Sequence, residues 1–163
     1  MATVEGVTLI FGDLIDDADW VPMPLAGQQE HPRYYWNDGG MLADAPVDFA
    51  RTFGESMLVT TKPVEVSRFN RNPLRVVPNF TVPRHHHNID ELLFVLTGEY
   101  VIEHYDAGEP ETVRVGPGDA FLSRAGTPYT MTSGPDGVTY VETWPVPVSR
   151  METHWHNYGW VRR

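Results

Sequence analysis

The chain has 163 residues, of which 41% are hydrophobic and 21% are charged, a composition typical of one globular domain with its own hydrophobic core. The formal net charge of −10 argues against a nucleic-acid or anionic-membrane partner, because both require basic surfaces. The absence of cysteine excludes disulfides, iron–sulfur clusters, thiolate zinc sites and cysteine nucleophiles. Any metal must therefore be held by His, carboxylate or Tyr.

The N-terminal third of the chain predicts little regular structure. We predict a strand at residues 7–11 and a short helix at residues 48–57. The rest of the N-terminal extension, which covers residues 1–56, is predicted to be irregular. The first residues lack the basic region of a secretory signal, and no apolar run reaches the roughly 18 residues that a membrane span needs. We therefore expect a cytoplasmic protein.

From residue 57 onward, short apolar and β-branched runs alternate with turns. The fourteen Gly and fourteen Pro of the chain favour many short elements over long helices. Turns at intervals of six to twelve residues between alternating apolar positions predict an all-β sandwich or barrel. The predicted strands are residues 57–61, 64–69, 74–82, 92–96, 100–105, 112–115, 120–123, 128–132 and 138–144.

Three consecutive histidines follow one of these strands. Side chains two residues apart on a strand share a face, so His85 and His87 point one way and His86 the other. Glu91 comes after a tight turn that returns it to the face of His85 and His87. Two imidazoles and one carboxylate form the arrangement that leaves open positions on a metal ion for oxygen or substrate. A solvated surface triplet is the alternative, but the apolar run at residues 92–96 disfavours it.

The spacing of these residues resembles the first motif of the cupins, G(x)5HxH(x)3–4E(x)6G. Asn79, His85, His87, Glu91 and Gly98 occupy its positions, with Asn79 in place of the first Gly. Asn and Gly both tolerate unusual backbone angles, so this departure is mild.

The second cupin motif, G(x)5PxG(x)2H(x)3N, is matched mainly in spacing. Gly118 and Gly126 fit it, whereas Arg124, Tyr129 and Ser133 stand in place of Pro, His and Asn. In cupins the His of this motif is usually the last metal ligand. Tyr129 is therefore expected near the substrate as a hydrogen-bonding or acid–base group. It is alternatively a phenolate ligand, or the mark of a site that has lost its metal.

The resemblance to cupins implies a jelly-roll barrel, or double-stranded β-helix, over residues 57–144. A C-terminal tail, residues 145–163, is expected to pack back on this barrel within a single domain of residues 1–163. Because cupins commonly dimerise, a homodimer is expected.

The remaining histidines allow two interpretations each. His104 is either a replacement ligand inside the barrel or a solvent-facing residue, and the second is favoured. His154 and His156 form a second H-x-H without a following carboxylate, which favours packing or an oligomer interface over metal binding. Strand parity does not decide which arginines line the pocket; the candidates are Arg68, Arg75, Arg84 and Arg124.

A looser similarity links His85-x5-Glu91, placed before an apolar strand ending in Gly98, to ring-cleaving dioxygenases such as homogentisate dioxygenase. These resemblances imply a metal-dependent oxygenase for a small aromatic or enolisable substrate. Its ligands would be His85, His87 and Glu91, with Tyr129 as catalytic residue and Fe(II) favoured over Mn, Ni, Cu or Zn. The alternatives are a lyase, isomerase or cyclase that uses the ion as a Lewis acid and Tyr129 as the acid–base group, and a non-catalytic small-molecule-binding cupin.

Overall fold

A computed structural model describes residues 3–4, 7–8, 20–23, 45–60, 73–105, 108–146 and 150–162 of the chain. The helix α1 (Val47–Ser56) precedes most of the strands. No helix among the described residues is long and apolar enough to cross a membrane. The strands are β1 (Thr3–Val4), β2 (Val7–Thr8), β3 (Trp20–Pro22), β4 (Met57–Thr60), β5 (Leu74–Val76), β6 (Thr81–His87), β7 (Glu91–His104), β8 (Glu111–Val115), β9 (Ala120–Ser123), β10 (Tyr129–Thr143), β11 (Thr153–Trp155) and β12 (Trp160–Arg162).

Strand β10 connects the two halves of the main sheet. It pairs antiparallel with β5 and β6 on one edge and with β7 on the other, and β7 in turn pairs with β8 and β9. Strands β3 to β12 thereby form one ten-stranded antiparallel sheet, separate from the β1–β2 pair. The predicted all-β jelly-roll fold is confirmed.

Several predicted elements agree with the structure. The predicted helix at residues 48–57 is α1, and the predicted strands at 57–61, 112–115 and 120–123 are β4, β8 and β9. The C-terminal tail packs back on the barrel, because β11 pairs with β6. The predicted strand at residues 64–69 and the end of the one at residues 7–11 lie outside the described residues.

Strand boundaries near glycine and asparagine were predicted wrongly. Residues 74–82 form two strands, β5 and β6, because Asn79 adopts a positive φ of 57° and turns the chain between them. Conversely, Gly98 was predicted to turn the chain but lies inside the continuous strand β7, and residues 133–137 lie inside β10. The register of the β7–β10 pair shifts between Ser133 and Val138, so these residues make a bulge instead of a turn.

Helix α1 covers the C-terminal strands. Phe49 and Phe53 lie one helical turn apart, are both buried, and stack with ring centroids 4.9 Å apart. Phe49 contacts the rings of Trp155 and Trp160 at 4.8 Å and 4.9 Å. This aromatic cluster joins α1 to β11 and β12 and continues the hydrophobic core of the barrel.

Gly98 allows β7 and β10 to approach closely at the bulge. Its φ is +73°, and an added Cβ would lie 2.0 Å from the carbonyl oxygen of Gly137. We expect Gly98→Ala to lower the free energy of unfolding by at least about 2 kcal/mol, through backbone strain and overlap. Gly108→Ala is the matched control, because a Cβ there meets nothing within 4 Å. Equal unfolding midpoints of the two variants in urea would contradict this account of the bulge.

Candidate metal centre

Strand β6 directs His85 and His87 into the barrel and His86 outward. His85 and His87 are buried, whereas His86 is half-exposed. The strand is irregular just before them, because the β6–β10 register shifts between the pairs Tyr129–His85 and Met131–Val82. The predicted parity therefore applies to the three histidines, although it does not extend along the whole strand.

Glu91 is the first residue of β7 and is only 1% exposed. Its Oε2 lies 3.4 Å from Nε2 of His87. The turn between β6 and β7 therefore returns the carboxylate to the face of His85 and His87, whose ring centroids are 5.3 Å apart. The structure thus brings together the three side chains that the sequence predicted as ligands.

The turns of the two sequence motifs are bonded to each other. The carboxylate of Asp90 accepts hydrogen bonds from the Ala125 amide at 2.8 Å and the Arg124 guanidinium at 3.1 Å. The Gly126 amide donates to the carbonyl of His87 at 2.8 Å. Arg124, which stands where the family motif has Pro, therefore helps to fix the turn before Glu91.

Ser133, another departure from the motif, fixes the chain just before the histidines. Its hydroxyl donates to the carbonyl of Val77 at 2.6 Å and accepts from the Phe80 amide at 3.0 Å. These residues flank Asn79, whose positive φ begins the approach to β6. Ser133 thus holds the turn that leads into β6.

Tyr129 begins β10 and pairs with His85 across the sheet. Its hydroxyl donates to Oε2 of Glu91 at 2.5 Å, and its ring centroid lies 4.5 Å from that of His85. Burial and the neighbouring Glu91 carboxylate raise the pKa of the Tyr129 phenol well above its usual range. In the absence of metal the phenol therefore stays protonated and is bonded to Glu91.

The imidazole of His85 is fixed in one tautomer. Its Nδ1 lies 2.7 Å from the carbonyl oxygen of Pro83, which can only accept a hydrogen bond. Nδ1 therefore carries the proton, and Nε2 keeps its lone pair. Burial, with a further effect of His87, lowers the pKa of His85 from its ordinary 6.5 to about 3, so the ring stays neutral.

Burial by itself raises the pKa of the Glu91 carboxyl. The neighbouring His87 imidazole and the hydrogen bond from Tyr129 outweigh that effect and lower the pKa from 4.5 to about 2. Glu91 is thus an anion at neutral pH. Its Oε2 is bonded to Tyr129, whereas its Oε1 is buried without a hydrogen-bond partner.

A cavity of about 30 Å³ lies beside the two imidazoles. This volume has room for about two water molecules. Its polar lining consists of His85, His87, Tyr140, Glu142 and Thr153, and the rest is apolar and includes three methionines. Glu91 and Tyr129 are not part of this lining.

The chemistry of the side chains fits a metal ion, whereas their present spacing does not enclose one. No group of three or more His, Asp or Glu side chains within the described ranges is placed to hold one. The donor chemistry of His85, His87 and Glu91 nevertheless fits a divalent cation. Nδ1 of each imidazole has a protein partner, as is usual for metal-ligating histidines, and Oε1 of Glu91 is a buried acceptor without a donor. The three side chains would have to converge further to enclose an ion.

The other histidines lie away from the cavity. His104, at the end of β7, lies 3.5 Å from the exposed carboxylate of Glu111. On the outer face of the sheet, the ring of His86 stacks on His154 at 4.6 Å, and its Nδ1 lies 2.8 Å from Nε2 of His156. The second H-x-H therefore packs against the outward histidine of the first.

The arginines considered as pocket residues have partners elsewhere. Arg75 donates to the hydroxyl of Thr139 at 2.9 Å, Arg84 stacks on the ring of Tyr105, and Arg124 pairs with Asp90. None of the three lines the described cavity. Arg68 lies outside the described residues.

Sequence reasoning missed the polar lining residues Tyr140, Glu142 and Thr153, and it missed Trp155, whose ring lies 4.6 Å from that of His85. A usable signal was present only for the last two. The run Thr153-His154-Trp155-His156 has the alternation of a strand, with His154 half-exposed and the residues on either side of it buried.

The family match agrees with the fold. Residues 74–141 match the family described as Cupin domain. No curated protein matches the chain.

Among solved structures, oxalate decarboxylase from Bacillus subtilis is similar at 20% identity and a TM-score of 0.44, over 55% of this chain and 25% of that one. Vicilin from Corylus avellana (hazelnut) is similar at 19% identity and a TM-score of 0.46, over 62% and 26%. An oxalate oxidase in complex with the substrate analogue glycolate is similar at 19% identity and a TM-score of 0.45, over 49% and 43%. The matches thus span less than half the length of these proteins.

The buried site predicts acid sensitivity of the metal-free protein. The pKa of His85 is about 3 in the folded state and 6.5 ordinarily, so between these values only the unfolded state binds the proton. The free energy of unfolding should therefore fall, by up to about 1.4 kcal/mol per pH unit, as the pH drops below 6.5. The Glu91 carboxyl has a pKa of about 2 in the folded state and 4.5 ordinarily, so it adds a second decrease in the free energy of unfolding below pH 4.5.

The measurement is urea unfolding of metal-free protein from pH 7 to pH 4. His85→Gln should flatten the pH dependence above pH 4.5, whereas His104→Gln, outside the cavity, serves as control. A His85→Gln protein with the full wild-type slope would show that His85 does not cause it.

Proposed function

We propose that this chain, a member of the cupin superfamily through its domain at residues 74–141, is a metal-dependent enzyme for a small molecule. One divalent transition-metal ion would be held by Nε2 of His85, Nε2 of His87 and the carboxylate of Glu91. One observation carries the proposal. Two buried imidazoles, each hydrogen-bonded through Nδ1, lie beside a buried carboxylate that has one oxygen without a hydrogen-bond partner.

The charges of the site support a cation. Glu91 is an anion and His85 is neutral, so a divalent ion would compensate a buried negative charge that is otherwise stabilised by few donors. Ligands must be deprotonated to bind a metal, and the lone pair on Nε2 of His85 is already available. The imidazole–carboxylate donor set suits Fe, Mn, Ni, Cu or Zn, with Fe(II) favoured for oxygen chemistry.

Tyr129 fits a positioning role toward Glu91. Its hydroxyl holds Oε2, which leaves Oε1 as the free donor atom of the carboxylate. An acid–base role toward substrate, as predicted from the motif, would require the phenol to leave Glu91, and it stays a prediction. Phenolate ligation would likewise require the hydroxyl to leave Oε2 of Glu91.

The reaction class proposed first is oxygenation of a small, mainly apolar aromatic or enolisable substrate. When bound, an ion with two imidazoles and one carboxylate supplies open positions for oxygen or for substrate oxygens. The largely apolar lining of the cavity beside His85 and His87 supports an apolar substrate. Its volume of about 30 Å³ is too small for an aromatic ring, so such a substrate would bind only after the cavity widens. Its walls would position that substrate and limit access of water.

A second candidate is a lyase, isomerase or cyclase reaction with the ion as Lewis acid. The observation that favours it is the placement of Glu142 and Tyr140 in the cavity lining with His85 and His87. A carboxylate beside the substrate can accept a proton from carbon or oxygen, and a phenol can donate one.

We expect His87→Ala to lose metal. The purified wild-type protein should bind about one equivalent of Fe(II), Mn(II) or Zn(II) after reconstitution, as measured by elemental analysis. His87→Ala should bind it more than about 100-fold more weakly, because loss of one of three direct ligands costs more than the roughly 10- to 100-fold loss expected for an outer partner. His86→Ala is the matched control, since its imidazole points outward from the same strand. Wild-type protein that binds no metal, and is not stabilised by any, would leave a non-catalytic binding protein as the remaining function.

Oxygen dependence separates the two reaction classes. An oxygenase should consume oxygen with substrate and stop under strict anaerobiosis, whereas a Lewis-acid enzyme should turn over unchanged. In the second case Glu142→Gln should lower kcat by about 10²-fold or more, as expected for loss of a general base. Turnover that is anaerobic yet indifferent to Glu142→Gln would exclude oxygenation, and it would also exclude Glu142 as the general base of a Lewis-acid reaction.

A further inference from the structure

Strand β11 lies beside the histidines although it is outside the segment that matches the family. The match ends at residue 141, whereas β11 covers Thr153–Trp155. It pairs antiparallel with β6, so that Thr153 stands opposite His87 and Trp155 opposite His85. The C-terminal tail therefore contributes side chains to the inner face of the site.

The two inward side chains of β11 each contact one imidazole. The hydroxyl of Thr153 lies 3.0 Å from Nδ1 of His87, and both residues are buried. The ring of Trp155 lies 4.6 Å from the ring of His85, at an interplanar angle of 31°. The tail therefore contacts both imidazoles, and β10 also contacts His85 through the ring of Tyr129 at 4.5 Å.

Hydrogen bonds hold β11 in this register. The side-chain oxygen of Asn88 accepts from the Glu152 amide at 2.8 Å, and the Asn88 amide donates to the Glu152 carbonyl at 3.2 Å. At the other end, the His156 amide donates to the carbonyl of Arg84 at 3.0 Å. The position of Thr153 relative to His87 is therefore fixed at both ends of the pair.

We propose that Thr153 is a positioning residue for His87, and that the C-terminal tail is thereby part of the metal site. The inference rests on the proposed function, since it concerns the same ion. To bind a metal through Nε2, a neutral imidazole must carry its proton on Nδ1 and needs an acceptor there. His85 has the Pro83 carbonyl for this purpose, and His87 has the Thr153 hydroxyl.

The Thr153 hydroxyl differs from the Pro83 carbonyl in its hydrogen-bonding capacity. A hydroxyl both donates and accepts, so it can satisfy Nδ1 whether or not that nitrogen carries the proton. Nε2 of His87 lies 3.4 Å from Glu91 and can donate to it when no metal is present. Thr153 is thus suited to both the metal-free and the metal-bound form of His87.

The test compares Thr153→Val, which keeps the side-chain shape, with Thr153→Ser, which keeps the hydroxyl. Full-length variants are titrated with Zn(II) against a competing chelator, and His87→Ala gives the background binding of the outer histidines. Thr153→Val should weaken the Zn(II) affinity by about 10- to 100-fold, and Thr153→Ser should restore most of it. Thr132→Val, which removes a hydroxyl from the exposed Thr81–Thr132 pair, should leave the affinity unchanged.

Each outcome decides the proposal. Unchanged affinity in Thr153→Val, or equal losses in Thr153→Val and Thr153→Ser, would overturn the positioning role while leaving the metal site intact. Wild-type protein that binds Zn(II) no better than His87→Ala would overturn the metal site itself, and the positioning role with it. Circular dichroism checks folding, and if Thr153→Val is unfolded, Thr153→Ala replaces it under the same criteria.

Discussion

Burial of the Glu91 carboxylate is the constraint on which the site depends. A buried anion is stable only when donors or cations surround it, and Glu91 has the hydroxyl of Tyr129 on Oε2 and the imidazole of His87 nearby. Because both groups come from the ends of other strands, the carboxylate ties β6, β7 and β10 together. The unpartnered Oε1 is the part of this arrangement that a cation would complete.

Two turns and one bulge allow the strands to meet in this way. The Asn79 turn, held by Ser133, directs the chain into β6, and the Asp90 turn, held by Arg124 and Ala125, places Glu91. The bulge around Gly98 and Gly137 lets β7 and β10 remain continuous through a close backbone approach. Residues that depart from the family motif therefore still hold its turns, by different hydrogen bonds.

The C-terminal tail gives the site a second wall. Its inward residues contact the imidazoles, its outward histidines pack on His86, and helix α1 covers its aromatic side chains. Helix α1, the barrel and the tail therefore all contribute to the site. The segment of residues 74–141 that matches the family does not contain all of these parts.

The sequence by itself determined the features that depend on local spacing. Period-two alternation placed His85 and His87 on one face, and the spacing to Glu91 brought the carboxylate to them. The all-β class followed from the frequency of turns, and the substitution of Asn for Gly at position 79 matched a positive φ. These features are local because strand parity and turn geometry are set within a few residues.

Only the tertiary structure decided the features that depend on distant partners. Glu91 and Tyr129 are 38 positions apart, and His87 and Thr153 are 66 apart, so no local pattern pairs them. Gly98 and Gly137 were predicted in turns but lie in a bulge. Whether a glycine ends a strand or allows a close backbone approach depends on the strand packed beside it. The donors around Glu91 and the partner of His87 are therefore properties of the folded sheet.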